Sequence, residues 1–381
     1  MDTPYVRIDV DVLARNIDRM AAAVHERGLA LRPHAKTHKI PRIARMQLDA
    51  GAVGLTVATI GEAEVFVAEG ATDVFIAYPL WLTPDRAARL ERLVQSARVS
   101  FGVDSVESAT HAARTLGAAA PRLEVLVEVD SGHHRSGAAP EDAASVAEAA
   151  RAGGLRVAGV FTFPGHSYAP GAPEQAALQE REALRTAAAG LEAAGLVVER
   201  RSGGSTPSVL ATAADGATEV RPGVYVFGDA QQLALGRCDP DDIALTVVAT
   251  VVSRHPGPDG ATHLVLDAGS KVLGSDRPAW TPGFGCIAGR PGAVIVALSE
   301  HHATVSWPAD EPAPARGSLL DVIPNHVCLV LNRRRRGRRG HGIRQRAVAR
   351  RGARQELLTP VRASVSERAV QRSRTARSAA S

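Results

Sequence analysis

A few short stretches of this chain concentrate residue types that folding alone does not require. LRPHAKTHKI (Leu31–Ile40) sets His34, Lys36, His38 and Lys39 within six residues, directly after an apolar run. A solvated basic face is one reading. A strand that ends in a reactive amine is the other: an ammonium held in a dry site beside other cations has a lowered pKa and attacks aldehydes. SGGSTPS, from Ser202, offers glycines that let successive N–H groups converge, with hydroxyls as extra donors. That is an anion cradle suited to phosphate, or else only a tight turn. PNHVC, from Pro324, places His326 and Cys328 two apart. On a strand both would project from one face, and imidazole with thiolate favours zinc. A buried cysteine beside a capping histidine is the plainer alternative.

These residues need a scaffold, and the sequence supplies a regular one. From Leu29 to Phe227, β-branched runs alternate with Ala-rich amphipathic stretches. The strand candidates are LALRP, VGLTVAT, DVFIAYP, VSFGVD, LEVLVEVD, VAGVFTF, VERRSGG and EVRPGVYVF. Helical patterns such as GEAEVFVAEG, PDRAARLERLVQSA, EDAASVAEAARAG and EQAALQEREALRTAAAGLEAAG separate most of them. Such alternation implies parallel pairing through crossovers. Eight strands over about 200 residues predict an α/β protein built on a (β/α)8 TIM-type barrel, with an open doubly wound sheet as runner-up. After Gly236 the texture turns strand-like with Gly and Pro turns, as expected of a smaller, mostly antiparallel β domain. The expected boundaries are 8–236 for the barrel and 237–332, with residues 1–7, for the β domain. In a barrel, function sits at the carboxyl ends of the strands. The unusual stretches fall there: HAKTHK after strand one, DSGHHRSG after strand five, PGHSY after strand six, SGGSTPS after strand seven and RPGVYVFGD in strand eight.

Composition narrows the class. The net charge of +5 misleads: the last 49 residues carry 16 arginines against Glu356 and Glu367, a local +14 that leaves −9 on residues 1–332. The body is therefore mildly acidic and is not expected to bind nucleic acid, apart from non-specific contact by the basic tail. That tail (333–381) has the composition of a disordered arm or of a GC-rich reading frame that has shifted. No 18-residue apolar run predicts a membrane span, and the amino terminus carries acids rather than a leader-like apolar core. Cys238, Cys286 and Cys328 are too scattered for a disulfide framework, so a reducing, cytoplasmic setting is expected.

A lysine on strand one, a phosphate cradle near strand seven and arginines between them suit pyridoxal 5'-phosphate, which needs an amine for its aldehyde, an anion site and polar ring partners. At this point RPHAKTHK, DSGHHRSG, GGSTPS, RPGVYVFGD and PNHVC, in that order, together resemble the D-threonine aldolase and D-serine dehydratase group of pyridoxal phosphate enzymes, with the alanine-racemase-like fold. The resemblance covers roughly residues 1–332. It implies Lys36, not Lys39, as the imine-forming lysine, Arg135 facing the phenolic oxygen of the cofactor, and Tyr168 near the substrate. It places Gly204, Ser205 and Thr206 on the phosphate, with Gly223, Val224 and Tyr225 on its far side, and Arg221 toward the ring nitrogen. His326 and Cys328 become a metal pair, zinc first and manganese second, with water or substrate completing an open shell. It also implies a homodimer.

The function expected on that basis is a metal-assisted lyase acting on D-3-hydroxy amino acids, by retro-aldol cleavage or by elimination. The His-x-Cys form leans toward elimination. An amino acid racemase of the same fold and a non-catalytic pyridoxal phosphate-binding protein are the alternatives. Where relatives continue into a closing strand after NHVC, this chain runs into RRRRGRRG; if that strand is missing, the metal pair is expected on an unpaired strand edge.

Overall fold

The computed structural model describes residues 2–257 and 260–332; the arginine-rich tail expected to be disordered or frame-shifted lies outside them. The first strand, β1 (Tyr5–Ile8), leads into α1 (Val10–Glu26), whose start is capped by Asp9. The barrel then runs β2 (Ala30–Leu31), α2 (Pro41–Asp49), β3 (Leu55–Val57), α3 (Ile60–Ala68), β4 (Asp73–Pro79), α4 (Pro84–Leu93), β5 (Arg98–Val103), α5 (Val106–Leu116), β6 (Glu124–Glu128), α6 (Ala143–Ala152), β7 (Arg156–Phe161), α7 (Pro173–Ala193), β8 (Arg200–Gly203) and β9 (Glu219–Val220). All eight predicted strands are present. They pair in parallel in the order β2-β9-β8-β7-β6-β5-β4-β3, and a bridge between His34 and Thr56 joins the two outermost members. The link from β8 to β9 contains turns instead of a helix, in keeping with its weak periodicity.

An apolar layer of Val, Leu, Ile and Ala side chains fills the space between strands and helices. The barrel interior is different: Phe75, Leu126, Ala158 and Phe161 form a small apolar plug, and beside it lies a buried charge network. Arg32 donates to Glu219 at 2.9 Å and to Asp73 at 2.6 Å, and Arg200 donates to Glu124 at 2.5 Å. Buried charges persist only when paired in this way.

Beyond the barrel come α8 (Ala230–Ala234), β10 (Leu245–Pro256), β11 (Thr262–Leu266), α9 (Ser270–Leu273), β12 (Gly285–Ile287), β13 (Arg290–Leu298), β14 (Ala303–Trp307), β15 (Leu319–Pro324) and α10 (Val327–Asn332). The antiparallel order β10-β11-β14-β13-β12-β15 returns to β10, so six strands close on themselves and β1 adds to β10. A single apolar cluster runs from α1 and Ile43 through Val224–Phe227 into this sheet. It fixes the β domain over one side of the barrel mouth.

Two expectations fail here. The metal pair was placed on a strand, but β15 ends at Pro324 and Cys328 lies in the first turn of α10. The chain is turned at Asn325, whose amide donates to Asp276 and Gly283 carbonyls, and at Val327, whose N–H goes to Asp229. The short apolar run VCLVL fits strand and helix equally by pattern, and these tertiary bonds decide it. Nor is β15 an unpaired edge: it bonds β10 on one side and β12 on the other. Among the described residues no helix is long and apolar enough to cross a membrane.

Candidate active site

At the carboxyl ends of β2, β7, β8 and β9, beneath the β domain, lies a cavity of about 240 Å³. Of the residues singled out from the sequence, Lys36, Tyr168, Ser205, Thr206, Arg221, Gly223, Val224, His326 and Cys328 line it. A second cavity of about 410 Å³ opens over β3 to β6; Arg135 lines that one, while Lys36 and His34 line both. Gly204 and Tyr225 lie off both walls. The Gly204 N–H is already given to Glu180 at 2.7 Å, and the Tyr225 phenol, sunk in the β-domain core, accepts from Gln47 at 2.9 Å.

The two lysines of the opening stretch have separate fates. Lys39, with a left-handed φ of 53°, pairs with Glu62 at 2.8 Å and Asn332 at 2.6 Å and so ties the loop to α3 and α10. Lys36 has no ion-pair partner among the described residues, and its Nζ lies 5.8 Å from the centre of the Phe163 ring. Burial is the main cause that lowers the pKa of its ammonium; Arg135 and Arg221 act in the same direction against Cys328 and Glu62. An amine so placed has a larger neutral, nucleophilic fraction than a surface lysine.

Facing it is the turn after β8. Ser205 Oγ shares hydrogen bonds with Ser167 at 2.8 Å and Ser208 at 2.9 Å, and Thr206 Oγ1 accepts the Gly223 N–H at 3.2 Å. Gly223 is required by space: a Cβ there would stand 2.6 Å from Thr37 Oγ1, in the lysine loop itself. Hydroxyls on one side, a glycine-held backbone on the other and an amine between them fit a phosphate-bearing aldehyde. Between these walls, Arg221 donates to Ser202 Oγ and to the Thr162 carbonyl and lies 5.5 Å from the Phe161 ring centre. Burial brings this guanidinium down to about 10, with Glu219, Glu180 and Glu128 opposing. Arg135 lies 5.0 Å from the ring centre of Phe163.

His326 and Cys328 close the cavity from the β domain. Asp229, fully buried, sets its Oδ2 3.3 Å from His326 Nδ1, and Cys328 Sγ lies 3.4 Å from Thr37 Oγ1. Burial alone would raise the Cys328 thiol; His326, Thr37 and Lys36 outweigh it and hold the pKa below its usual range. A soft thiolate and an imidazole already backed by a carboxylate form a donor set that suits a borderline-soft divalent ion. Among the described residues no third His, Cys, Asp or Glu joins the pair, so such an ion would keep open positions. Tyr168 stands over the same space. Burial first, then the charges of Cys328 and Asp229, raise the pKa of its phenol.

Several participants escaped the sequence reading. Phe163 is the shared floor under Lys36 and Arg135, Asp229 backs His326, and His34 keeps a buried Nδ1 without a hydrogen-bond partner at the junction of the two cavities. His34 stands in the same motif as Lys36 and Asp229 closes the stretch RPGVYVFGD; nothing local marks Phe163.

Comparison with known proteins defines the class. Residues 8–231 match the alanine racemase N-terminal domain, and residues 244–336 match a serine dehydratase domain. The chain belongs to the alanine-racemase-like family, in the D-threonine aldolase and D-serine dehydratase group of pyridoxal phosphate-dependent lyases. D-threo-3-hydroxyaspartate dehydratase from Delftia sp. (strain HT23) is 37% identical over 354 residues, 86% of this chain and 91% of that protein. D-threonine aldolase from Arthrobacter sp. is 33% identical over 341 residues, 87% of each. The solved structure of the Delftia dehydratase aligns with a TM-score of 0.77 at 36% identity, covering 87% of this chain and 92% of that one. Other solved forms of that dehydratase carry a histidine-to-alanine change and, two positions on, a cysteine-to-alanine change, the latter in the metal-free form.

Proposed function

We propose that this protein is a metal-assisted, pyridoxal phosphate-dependent lyase of D-3-hydroxy amino acids that eliminates the 3-hydroxyl in preference to cleaving the Cα–Cβ bond. The observation that carries this reading is the placement of Lys36, the Ser205–Thr206 turn and the His326–Cys328 pair around one cavity. The site residues take the following parts. Lys36 Nζ would hold the aldehyde of the cofactor and is the base for the Cα proton. Ser205 and Thr206 hold the phosphate from one side, Gly223 and Val224 from the other. Gly204 contributes by turning the chain, and Tyr225 by its backbone. Arg221 faces the ring nitrogen and Arg135 the phenolic oxygen. Bound pyridoxal phosphate supplies the electron sink for the electrons left at Cα.

His326 and Cys328 would hold zinc, or manganese, which would supply Lewis acidity toward the 3-hydroxyl of the substrate, and Tyr168 is the hydrogen-bond donor of the same cavity. Support comes from the donor chemistry of the pair and from the solved Delftia variants, altered in the same two residue types at the same spacing. The cysteine of the pair has a counterpart in the Delftia dehydratase, which supports elimination. D-Serine and D-threo-3-hydroxyaspartate, the latter the substrate in the name of the Delftia relative, are the compounds to try first. The barrel comprises residues 8–236 and the β domain 237–332 with residues 1–7, and the active species is a homodimer.

Incubation with D-threonine, D-serine and D-threo-3-hydroxyaspartate, with and without zinc or manganese, tests the reading through its products. A 2-oxo acid with ammonia marks elimination, and glycine with an aldehyde marks cleavage. Metal-insensitive interconversion of enantiomers would establish a racemase instead, and cofactor binding without turnover a non-catalytic protein.

A further inference from the structure

The buried face of α7 reads Ala176, Ala177, Glu180, Ala183, Leu184, Ala187 and onward, an apolar stripe with one acid in it. Glu180 is wholly buried, and among the described residues no cation forms an ion pair with it. A carboxyl taken out of water without a salt-bridge partner is costly and persists only where donors satisfy it. The donors here belong to the turn after β8. Glu180 Oε2 accepts the Gly204 N–H at 2.7 Å and Oε1 accepts the Thr212 hydroxyl at 3.3 Å.

The fit is close. A Cβ on Gly203 would come within 2.7 Å of the Glu180 carboxyl carbon, so only glycine lets the carboxyl lie under the turn. Gly204, whose amide is the one held, has a left-handed φ of 74°. The next two residues are Ser205 and Thr206, which line the cavity. Glu180 lines neither cavity, so its influence on a ligand passes through the backbone it grips.

We propose that Glu180 is a positioning residue for phosphate recognition: its carboxyl fixes the Gly203–Gly204 turn from beneath and so aims the Ser205 and Thr206 hydroxyls at the phosphate of the cofactor. The inference rests on the pyridoxal phosphate reading of the cavity. Its signature is selectivity. A strut under the phosphate turn matters to a ligand that carries phosphate and not to the same aldehyde without it, whereas a general stability role affects both alike.

The test measures dissociation constants of pyridoxal 5'-phosphate and of pyridoxal for the full chain stripped of bound cofactor, by absorbance titration. Glu180→Ala should weaken pyridoxal phosphate binding by roughly tenfold or more and leave pyridoxal within about threefold, the scale of one lost hydrogen bond to a charged group. Glu180→Gln, which keeps an acceptor for the Gly204 N–H, should bind both ligands within about threefold of the parent. The proposal is overturned if Glu180→Ala weakens both ligands equally or neither, or if Glu180→Gln behaves as Glu180→Ala. Should Glu180→Ala fail to fold, Gly203→Ala decides, because its Cβ displaces the same carboxyl: selective loss of the phosphorylated ligand supports the proposal, and equal or no loss overturns it. A parent chain that binds neither ligand would instead sink the cofactor reading itself.

Discussion

Asp229 Oδ2 lies 3.3 Å from His326 Nδ1 and accepts the Val327 N–H at 3.2 Å, so one buried carboxylate both sits behind the imidazole and starts the helix that carries Cys328. Its other oxygen caps α8 through the Gln232 N–H. Asp229→Asn keeps one acceptor oxygen, enough for the cap on Gln232, but turns an NH2 toward the Val327 N–H and removes the charge behind His326. Metal affinity should fall roughly 10- to 100-fold, and the melting temperature should fall as well because a buried N–H loses its acceptor. Direct metal titration of parent and variant checks this, and an unaltered affinity would reduce Asp229 to a cap.

The two lysines of the opening motif should separate cleanly on mutation. Lys36→Ala is expected to abolish both the absorbance band of the bound cofactor and turnover. Lys39→Ala should retain the band and lose no more than about 1 kcal/mol of stability, the scale of a partly exposed ion pair. Spectra of the two variants side by side settle the assignment, and loss of the band only in the Lys39 variant would reverse it.

Chelation should stop lyase turnover, and zinc or manganese should restore it. Cys328→Asp exchanges a soft donor for a hard one and should move the preference from zinc toward manganese. Initial rates across a metal series read the change. Equal rates before and after exhaustive chelation would exclude a metal role for the pair.

Burial raises the Glu180 carboxyl from an ordinary 4.5 to about 7, against the opposing effects of Gly204, Arg221 and Thr212. The folded chain therefore keeps a proton that the unfolded chain has already lost, so this group favours folding fully below pH 4.5 and progressively less as pH rises through 7. Glu128, raised to about 7 chiefly by burial, adds a slope of the same sign in parent and variant alike. The stability of Glu180→Gln relative to the parent should thus improve between pH 5 and pH 8, by a few kcal/mol at most. Parallel denaturation curves across that range would contradict the prediction.

The regular parts of the fold were legible because their causes are local. Alternating β-branched and amphipathic runs set out eight strands and the helices α3, α4, α6 and α7 without any knowledge of contacts, since periodicity depends only on neighbours in sequence. The change of texture after Gly236 was legible for the same reason. The stretch VCLVL was not, because a run of five apolar residues has no period to read, and the bond from Val327 to Asp229 that makes it helical spans 98 residues.

The site divides along the same line. Types and order of residues drew attention to the lysines of the opening motif, the glycine-hydroxyl turn at Gly204–Thr206 and the spacing of His326 and Cys328, and the family resemblance chose Lys36 over Lys39 and read the pair as metal ligands. Only the tertiary structure decided that Lys39 is spent on Glu62, that Phe163 lies under both Lys36 and Arg135, and that Glu180 grips the Gly204 amide from 24 residues away. A side chain's function depends on what desolvates and partners it, and in a barrel those partners come from different strands, set by closure of the sheet rather than by proximity along the chain.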